Sequence, residues 1–562
     1  MLKEVLKPFN VILSDNDTDQ LRNSLQLRGE IKNYNGVVRE IWKNEYLSYR
    51  GSLAFSSNVM FHTMFSNIDN SIDKCSPEFI ALCIKSIGDV VLKIRSGELQ
   101  KQENGKFLCM EQYERVFGTV RIPGVTVDSL HHYFNDENNN NISLFYNGYE
   151  FIIFDVTTRS LESIYDDIVD IFKNYNKKGD NMTSLCTALK RNDWCKLRLK
   201  VIKNKDGKKH KKNELRLIES SLCRIIVNDD SQYNVEKFEN PFIWYDKSLN
   251  IMLTNNGKCM SMMEHSSFEG DIPSRIFESM QSFILSNYKL SSFDNEKEID
   301  NFKNYKLLDN LSVDDVVMSN NVLDTINKNS KKHNVLFFDV NNNDCHNITK
   351  TNIENDCKVP SDTFVQIAIC IAYHDYFIKK IPNVYETGSL RRIKDGRTDT
   401  IRTMSNHLKA FLENNNDITS LQKAIEYHVE YSETVTQYNN GIDRLLLVLQ
   451  RKYGLTITNQ DLNDVLNKFD LSTSQVNFNS LDTLGFFPPA NNENFGIGFC
   501  YKFDNQNGNL VGMISSANIH GIDNKSFYEK VCNSMNKLYN VLVEQNNKKI
   551  FLNNDNNMFD KN

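Results

Sequence analysis

Among the 12 cysteines of this 562-residue chain there is no CxxC pair and no Cys/His spacing of the zinc-binding kind. A disulfide framework and a structural metal are both excluded as organising principles, and reduced thiols in an intracellular compartment are expected. No apolar run reaches the roughly 18 to 20 residues that cross a bilayer. The opening MLKEVLKPFNVILSDNDTD turns acidic too early for a transit peptide, and the ending NNMFDKN is no peroxisomal signal. An excess of positive charge is missing as well: 66 Lys plus Arg stand against 72 Asp plus Glu, a balance of -6 that offers no general field to nucleic acid or acidic membranes. No repeat of solenoid period occurs.

What remains is a chain long enough for two large domains. Asparagine clusters at 135 to 141, 340 to 347 and 553 to 558 are expected as solvated loops, because short amides compete with regular backbone pairing. SLESIYDDIVDIFKNY (160 to 175) has helical apolar spacing and SDTFVQIAICIAYHDYF (361 to 377) the density of a buried helix, whereas YEFIIFDV (149 to 156) and SLCRIIVND (221 to 229) predict buried strands. Helices and strands mixed through both halves predict an α/β protein. The most basic run, KNKDGKKHKKNE at 203 to 214, is expected to be a solvated loop between a helix and a strand.

Chemistry concentrates in a few segments. NPFIWYDKSLNIMLTNNGKCMSMM predicts two strands joined at NNG, after which His265 enters the polar turn of MMEHSSFEGD. An imidazole there suits a general base, since its ordinary pKa of about 6.5 leaves much of it neutral near pH 7. YETGSLRRIKDGRTDTIR (385 to 402) mixes Tyr385, Thr387, Thr398 and Thr400 with guanidinium groups, a set suited to a small polar or anionic compound. LSTSQ (471 to 475) packs three hydroxyls and an amide that could face a developing oxyanion. GIDRLLLVL places Arg444 at the mouth of an apolar helix, where a charge needs a partner or a ligand.

Taken in order, FLCMEQYERVFGTVRIPG, SLCTALKRNDW, WYDKSLNIMLTNNGKCMSMMEH, PSDTFVQIA, YETGSLRRIKDGRTDTIR, GIDR and LSTSQ closely resemble the carnitine/choline acyltransferase family, from about residue 42 to residue 542. The resemblance implies two α/β domains akin to chloramphenicol acetyltransferase and dihydrolipoyl transacetylase, with an active-site tunnel between them. Residues 46–317 would form the N-domain with the histidine, and 1–45 plus 318–562 the C-domain with the CoA and carnitine contacts. His265 would be the general base, Glu269 and Arg397 would organise its loop, and Ser474 would stabilise the tetrahedral oxyanion. Carnitine would meet Tyr385, Thr387, Thr398, Thr400, Arg444 and Ser472; choline-specific members resemble VDN where this chain has Thr398-Asp399-Thr400, and carry asparagine where it has Arg444.

CoA would meet Lys350, Lys358, Asp362 and Gln475. Here the chain departs from the family: a second lysine of the 3'-phosphate clamp is missing near Asn352 to Asn355, and Val429 stands in HVEY where relatives carry arginine. A high Michaelis constant for acyl-CoA is therefore expected. Gly485 aligns with the acyl-pocket gate, bulky in animal acetyl-specific members and glycine in medium- and long-chain ones. The expected activity is reversible transfer of acetyl or other short acyl groups between CoA and L-carnitine, with acyl-CoA as substrate, no bound cofactor, no metal and no nucleic acid, by a cytoplasmic monomer. The competitors are a medium- or long-chain acyltransferase and a carnitine- and CoA-binding homologue that does not turn over.

Overall fold

The computed structural model describes the chain apart from residues 1, 16–17, 20, 22, 24–30, 62–63, 66–67, 70, 100, 104, 137–138, 204–209, 229–241, 256, 289–302, 310–323, 325–327, 329–332, 340–347, 415–416, 477–483, 487–494, 505–507, 518–520 and 560–562. Two mixed β-sheets carry the fold, each backed by its own helices. The eight-stranded sheet runs in the order Tyr305–Leu307, Tyr149–Ile153, Ile142–Tyr146, Arg224–Asn228, Asn250–Thr254, Cys259–Glu264, Asn58–Phe61, Leu484–Phe486. Its central strands are buried on both faces, which is why they read as continuous apolar runs. The helices Pro77–Ser96, Leu161–Asn174 and Ile272–Tyr288 cover it and share its core. Pro77–Ser96 has complete stop and start chemistry: the Ser76 hydroxyl accepts from Phe79 N–H, Pro77 opens the helix, and Gly97 closes it at φ 74°.

The six-stranded sheet has the order His333–Asp339, Leu510–Ala517, Phe495–Phe503, Phe469–Gln475, Val384–Ser389, Thr398–Ile401. Helices Ser361–Tyr376 and Asn524–Phe559 pack on one face of it, around Leu471, Ile497, Phe499, Tyr501 and Ile514. The α/β class expected from sequence, with two cores, is the architecture present. The two halves are interlocked: Leu484–Phe486, from the second half of the chain, adds an antiparallel edge strand to the first sheet by pairing with Asn58–Phe61.

Several local expectations hold. The helices at 160–175 and 361–377 are Leu161–Asn174 and Ser361–Tyr376; the hairpin before the histidine is Asn250–Thr254 against Cys259–Glu264, with Gly257 at φ 79° in the turn. Others are corrected. The basic run is not a loop between a helix and a strand where it is described: Lys203 ends the helix Arg191–Lys203, 204–209 lie outside the described residues, and His210–Ser220 is a second helix with the buried Leu215 and Ile218 on one face. Asn139, Asn140 and Asn141 are buried rather than solvated, because their amides find fixed partners: Asn139 donates to the Ser220 carbonyl, Asn140 Oδ1 accepts from Arg95 at 2.6 Å, and Asn141 Oδ1 accepts from Asp155 N–H at 3.2 Å. Residues 553 to 558 continue the last helix, Asn524–Phe559, since extending an established helix costs little per residue; 340–347 lie outside the described residues. Among the described residues ten cysteines are free and buried, but Cys532 is disulfide-bonded, against the expectation of reduced thiols.

Candidate active site

His265 directly follows the buried strand Cys259–Glu264 and precedes the helix Ile272–Tyr288. Residues 261 to 264 and 266 to 269 around it are all buried, yet His265 itself stays partly accessible. Its backbone N–H donates to the Ser57 carbonyl at 3.0 Å, tying the turn to the neighbouring strand. The ring's Nδ1 lies 3.3 Å from the Phe268 carbonyl. A carbonyl can only accept, so Nδ1 carries the proton and Nε2 is left with the lone pair of a base. Burial lowers the pKa of the ring below its ordinary value; Glu269 and Glu264 oppose that, and Arg397 assists it. Burial thereby favours the neutral form of the ring, the form able to accept a proton.

Arg397 holds the turn in place. It pairs with Glu269, donates from Nη1 to the Ser266 carbonyl at 2.9 Å, and from Nη2 to the carbonyls of His265 at 3.3 Å and Phe268 at 3.5 Å. Because Arg397 precedes the strand Thr398–Ile401 of the second sheet, this guanidinium also fastens the histidine turn to the other half of the molecule.

The second sheet presents its polar face here. Tyr385 stands beside Ser472, Thr387 beside Thr400, Ser389 beside Thr398, and Ser474 beside Cys500. Directly paired residues share a face and alternate residues along a strand return to it. Tyr385, Thr387, Thr398, Thr400, Ser472 and Ser474 therefore all project from the side opposite the helix-packed core. Along Val384–Ser389 the core-side residues are buried while Tyr385, Thr387 and Ser389 are half-buried, the pattern of a strand lining a cleft. Thr400 Oγ1 is buried and has no hydrogen-bond partner among the described residues.

Arg444 enters from the second position of the helix Asp443–Tyr453. Only 5% exposed, it donates from Nε to the Thr398 carbonyl at 2.6 Å and from Nη2 to the Tyr385 hydroxyl at 3.1 Å. Its guanidinium lies 3.7 Å from the centroid of the Trp42 ring. No carboxylate comes within 4.0 Å of it among the described residues. Asp399 approaches only the Arg444 backbone N–H, at 3.2 Å. That approach depends on Gly441, where a Cβ would meet Asp399 Oδ2 at 2.1 Å.

Two residues that sequence reading passed over complete the cluster. Trp42 and Tyr46, on the helix Tyr34–Ser48, sit over Arg444 and edge-on to His265, the latter with ring centroids 5.6 Å apart. Their i, i+4 spacing on a helix was the available signal; nothing local said what they would face.

The positions expected to meet CoA are more dispersed. Lys350 opens a short helix capped by Thr349 and lies 4.0 Å from Glu354; Lys358 is exposed at φ 56° after the π-helical turn Ile353–Cys357. Gln475 is half-buried at the end of its strand. Asp362 faces the helix side of the sheet, accepting from the Tyr501 hydroxyl at 2.6 Å beside Glu386 and His428. These three could in principle hold a metal ion, but both His428 nitrogens are engaged at 2.9 Å, Nδ1 with Thr363 and Nε2 with Glu386. The hydrogen-bonded pair accounts for the cluster. Gly485 lies on the edge strand Leu484–Phe486, opposite Met60.

A profile of the choline/carnitine O-acyltransferases matches residues 2–531, and the chain belongs to that family. It is 26% identical over 486 residues to a choline O-acetyltransferase of Rattus norvegicus, covering 78% of this chain and 73% of that protein. It is 25% identical over 538 residues to a carnitine O-acetyltransferase of Columba livia, covering 86% and 80%. Among solved structures, a trichothecene 15-O-acetyltransferase from Fusarium sporotrichioides aligns with a TM-score of 0.39 at 9% identity, over 89% of this chain and 94% of that one. No helix among the described residues is long and apolar enough to cross a membrane.

Proposed function

We propose that the chain is a carnitine O-acetyltransferase, moving acetyl or another short acyl group reversibly between CoA and L-carnitine. The observation that supports the choice of acceptor is Arg444: a buried guanidinium held by a hydroxyl, a carbonyl and an indole face, with no carboxylate in direct ion-pair contact among the described residues, while Asp399, Asp443 and Glu269 act on it from farther off. A buried cation without a directly paired counter-ion is costly. The carboxylate of carnitine would satisfy it, whereas choline offers only a second cation. Tyr385, Thr387, Thr398, Thr400 and Ser472 supply hydroxyls on the same face.

In this reading Nε2 of His265 takes the proton of the carnitine hydroxyl as that oxygen attacks the thioester carbon. A tetrahedral oxyanion forms, with Ser474 as its hydrogen-bond donor. Collapse expels the CoA thiolate, which takes the proton back from the imidazolium. No acyl-enzyme is needed, because the acceptor itself is the nucleophile. Glu269 and Arg397 fix the turn, and Lys350, Lys358, Asp362 and Gln475 contact CoA, with Gly485 at the acyl pocket. Residues 46–317 and 1–45 plus 318–562 are the domains we assign, with Leu484–Phe486 exchanged between them.

The test is a thiol-release assay with acetyl-, octanoyl- and palmitoyl-CoA against L-carnitine and choline. Fastest turnover with acetyl-CoA and carnitine, abolished in His265→Ala, is the expected result. Preference for choline would overturn the acceptor, and preference for the longer thioesters would overturn the acyl assignment. Carnitine binding by calorimetry without any thiol release would identify a non-catalytic binding homologue instead.

A further inference from the structure

The motif FGTVRIPG has no part in the chemistry above, yet its arginine is one of the most enclosed charges in the molecule. Arg121 is fully buried. Its Nε donates to Asp128 Oδ2 at 2.8 Å, which anchors it in a network with Arg191 and Asp246. Its two remaining nitrogens reach in different directions. Nη1 lies 3.3 Å from Glu264 Oε1, in the residue before the catalytic-site histidine. Nη2 donates to the Tyr46 carbonyl at 2.5 Å and, more weakly, to that of Tyr49 at 3.4 Å, at the end of the helix that carries Trp42 and Tyr46.

Glu264 passes the constraint on. It is 1% exposed, and its Oε2 accepts from the Ser266 hydroxyl at 2.6 Å and the Ser266 N–H at 3.3 Å. Ser266 is thus gripped twice, its carbonyl by Arg397 and its N–H and hydroxyl by Glu264. His265 lies between these two grips.

We propose that Arg121 and Glu264 are positioning residues of the acyl transfer, a buried clamp in which one guanidinium sets both the turn carrying the base and the helix wall of the acceptor pocket. The proposal rests on the acyl-transfer reading above. A planar fork with donors pointing to fixed, separate acceptors does what a lysine cannot. Small displacements of a base cost heavily: about 1 Å can remove a factor of about 100 in rate.

The clamp is tested with Arg121→Lys and Glu264→Gln in the full chain, each checked for a retained cooperative thermal transition. Arg121→Lys should lower kcat about 100-fold and raise the KM for carnitine, through the displaced Tyr34–Ser48 helix, while leaving the KM for acetyl-CoA unchanged. Glu264→Gln should lower kcat with little change in either KM. The charged groups facing His265 are Glu269, Arg397 and Glu264. Removing the last of these should move the ring's titration, followed by NMR on the imidazole, to lower pH. A role in stability alone would not shift that titration.

Wild-type kcat together with an unmoved His265 titration in Glu264→Gln overturns the proposal, whether or not Arg121→Lys folds. If the wild-type chain released no thiol with either acceptor, the acyl-transfer reading would fall, and the NMR titration would still report whether Glu264 acts on the ring.

Discussion

Arg444→Asn combined with Thr400→Asn offers the sharpest perturbation, because it changes one end of the proposed acceptor pocket and leaves the histidine turn alone. In the native protein the guanidinium contributes two kinds of interaction. Its fixed contacts, to the Thr398 carbonyl at 2.6 Å, the Tyr385 hydroxyl at 3.1 Å and the Trp42 ring at 3.7 Å, orient it but do not neutralise it. On the proposed reading, its interaction with the carnitine carboxylate is the charge-assisted one. Truncating one partner of such a desolvated pair costs about 2 to 5 kcal/mol, which corresponds to a factor of about 30 to about 5000 in affinity. The carboxylate takes no part in the bonds made or broken, so the loss should fall mainly on the KM for carnitine rather than on kcat. Choline has no carboxylate to lose, and removal of a buried cation should help its ammonium enter. The ratio of kcat/KM for carnitine to that for choline should therefore fall by at least about 30-fold. Arg444→Lys, which keeps the charge but not the fork, should give an intermediate value. An unchanged ratio in a folded double variant would refute the assignment of Arg444 to the acceptor carboxylate.

The pH dependence has a definite sign. Burial holds the His265 pKa below its ordinary value, so the acid limb of kcat/KM should lie below pH about 6.5; Glu269→Gln removes the strongest Coulombic support for the protonated ring and should move that limb lower still, and an upward shift would count against the general-base role. Ser474→Ala should cut kcat about 100- to 1000-fold if its hydroxyl meets the oxyanion, and an unaltered kcat would remove it from the mechanism. In the turn that carries Glu354 and Asp356, Asn355→Lys should lower the KM for acetyl-CoA without changing kcat. That gain should vanish with the 3'-dephospho thioester; equal gains with both would place the phosphate elsewhere.

Local patterns were legible in the sequence and distant contacts were not. The helix Ser361–Tyr376 and the hairpin ahead of His265 follow from apolar density and a turn of the NNG kind, both written in a few consecutive residues. Arg444 could be singled out because a charge on an apolar helix is conspicuous on its own. Trp42 and Tyr46 could not: each meets its partner across more than 200 residues of chain, and an aromatic pair on a helix reads as ordinary core. Buried Asn139 to Asn141 were misjudged for the same reason, since an amide looks solvated until its partners on Arg95 and Asp155 are brought to it. The strand Leu484–Phe486, only three residues long, takes its place from the partner strand Asn58–Phe61 rather than from any periodicity of its own.

The polar face of the second sheet depends on register, and the register has its own anchor. A slip of one residue along Val384–Ser389 would send Tyr385 and Thr387 into the core and bring Glu386 out to the cleft. Glu386 resists that slip from beneath. It is buried, pairs with His428 Nε2 at 2.9 Å and accepts from the Thr403 hydroxyl. Burial disfavours the charged imidazole, but the charge of Glu386, its hydrogen bond and Asp362 outweigh it and raise the His428 pKa above its ordinary value. Sliding would strip the buried Glu386 of its partners, and leaving a buried carboxylate unpaired costs several kcal/mol, more than the hydroxyl contacts on the other face could recover. The hydroxyls of this face thus owe their common direction to a buried hydrogen-bonded pair that touches none of them: alternation along one strand converts a fixed carboxylate in the core into a fixed tyrosine and threonine in the cleft.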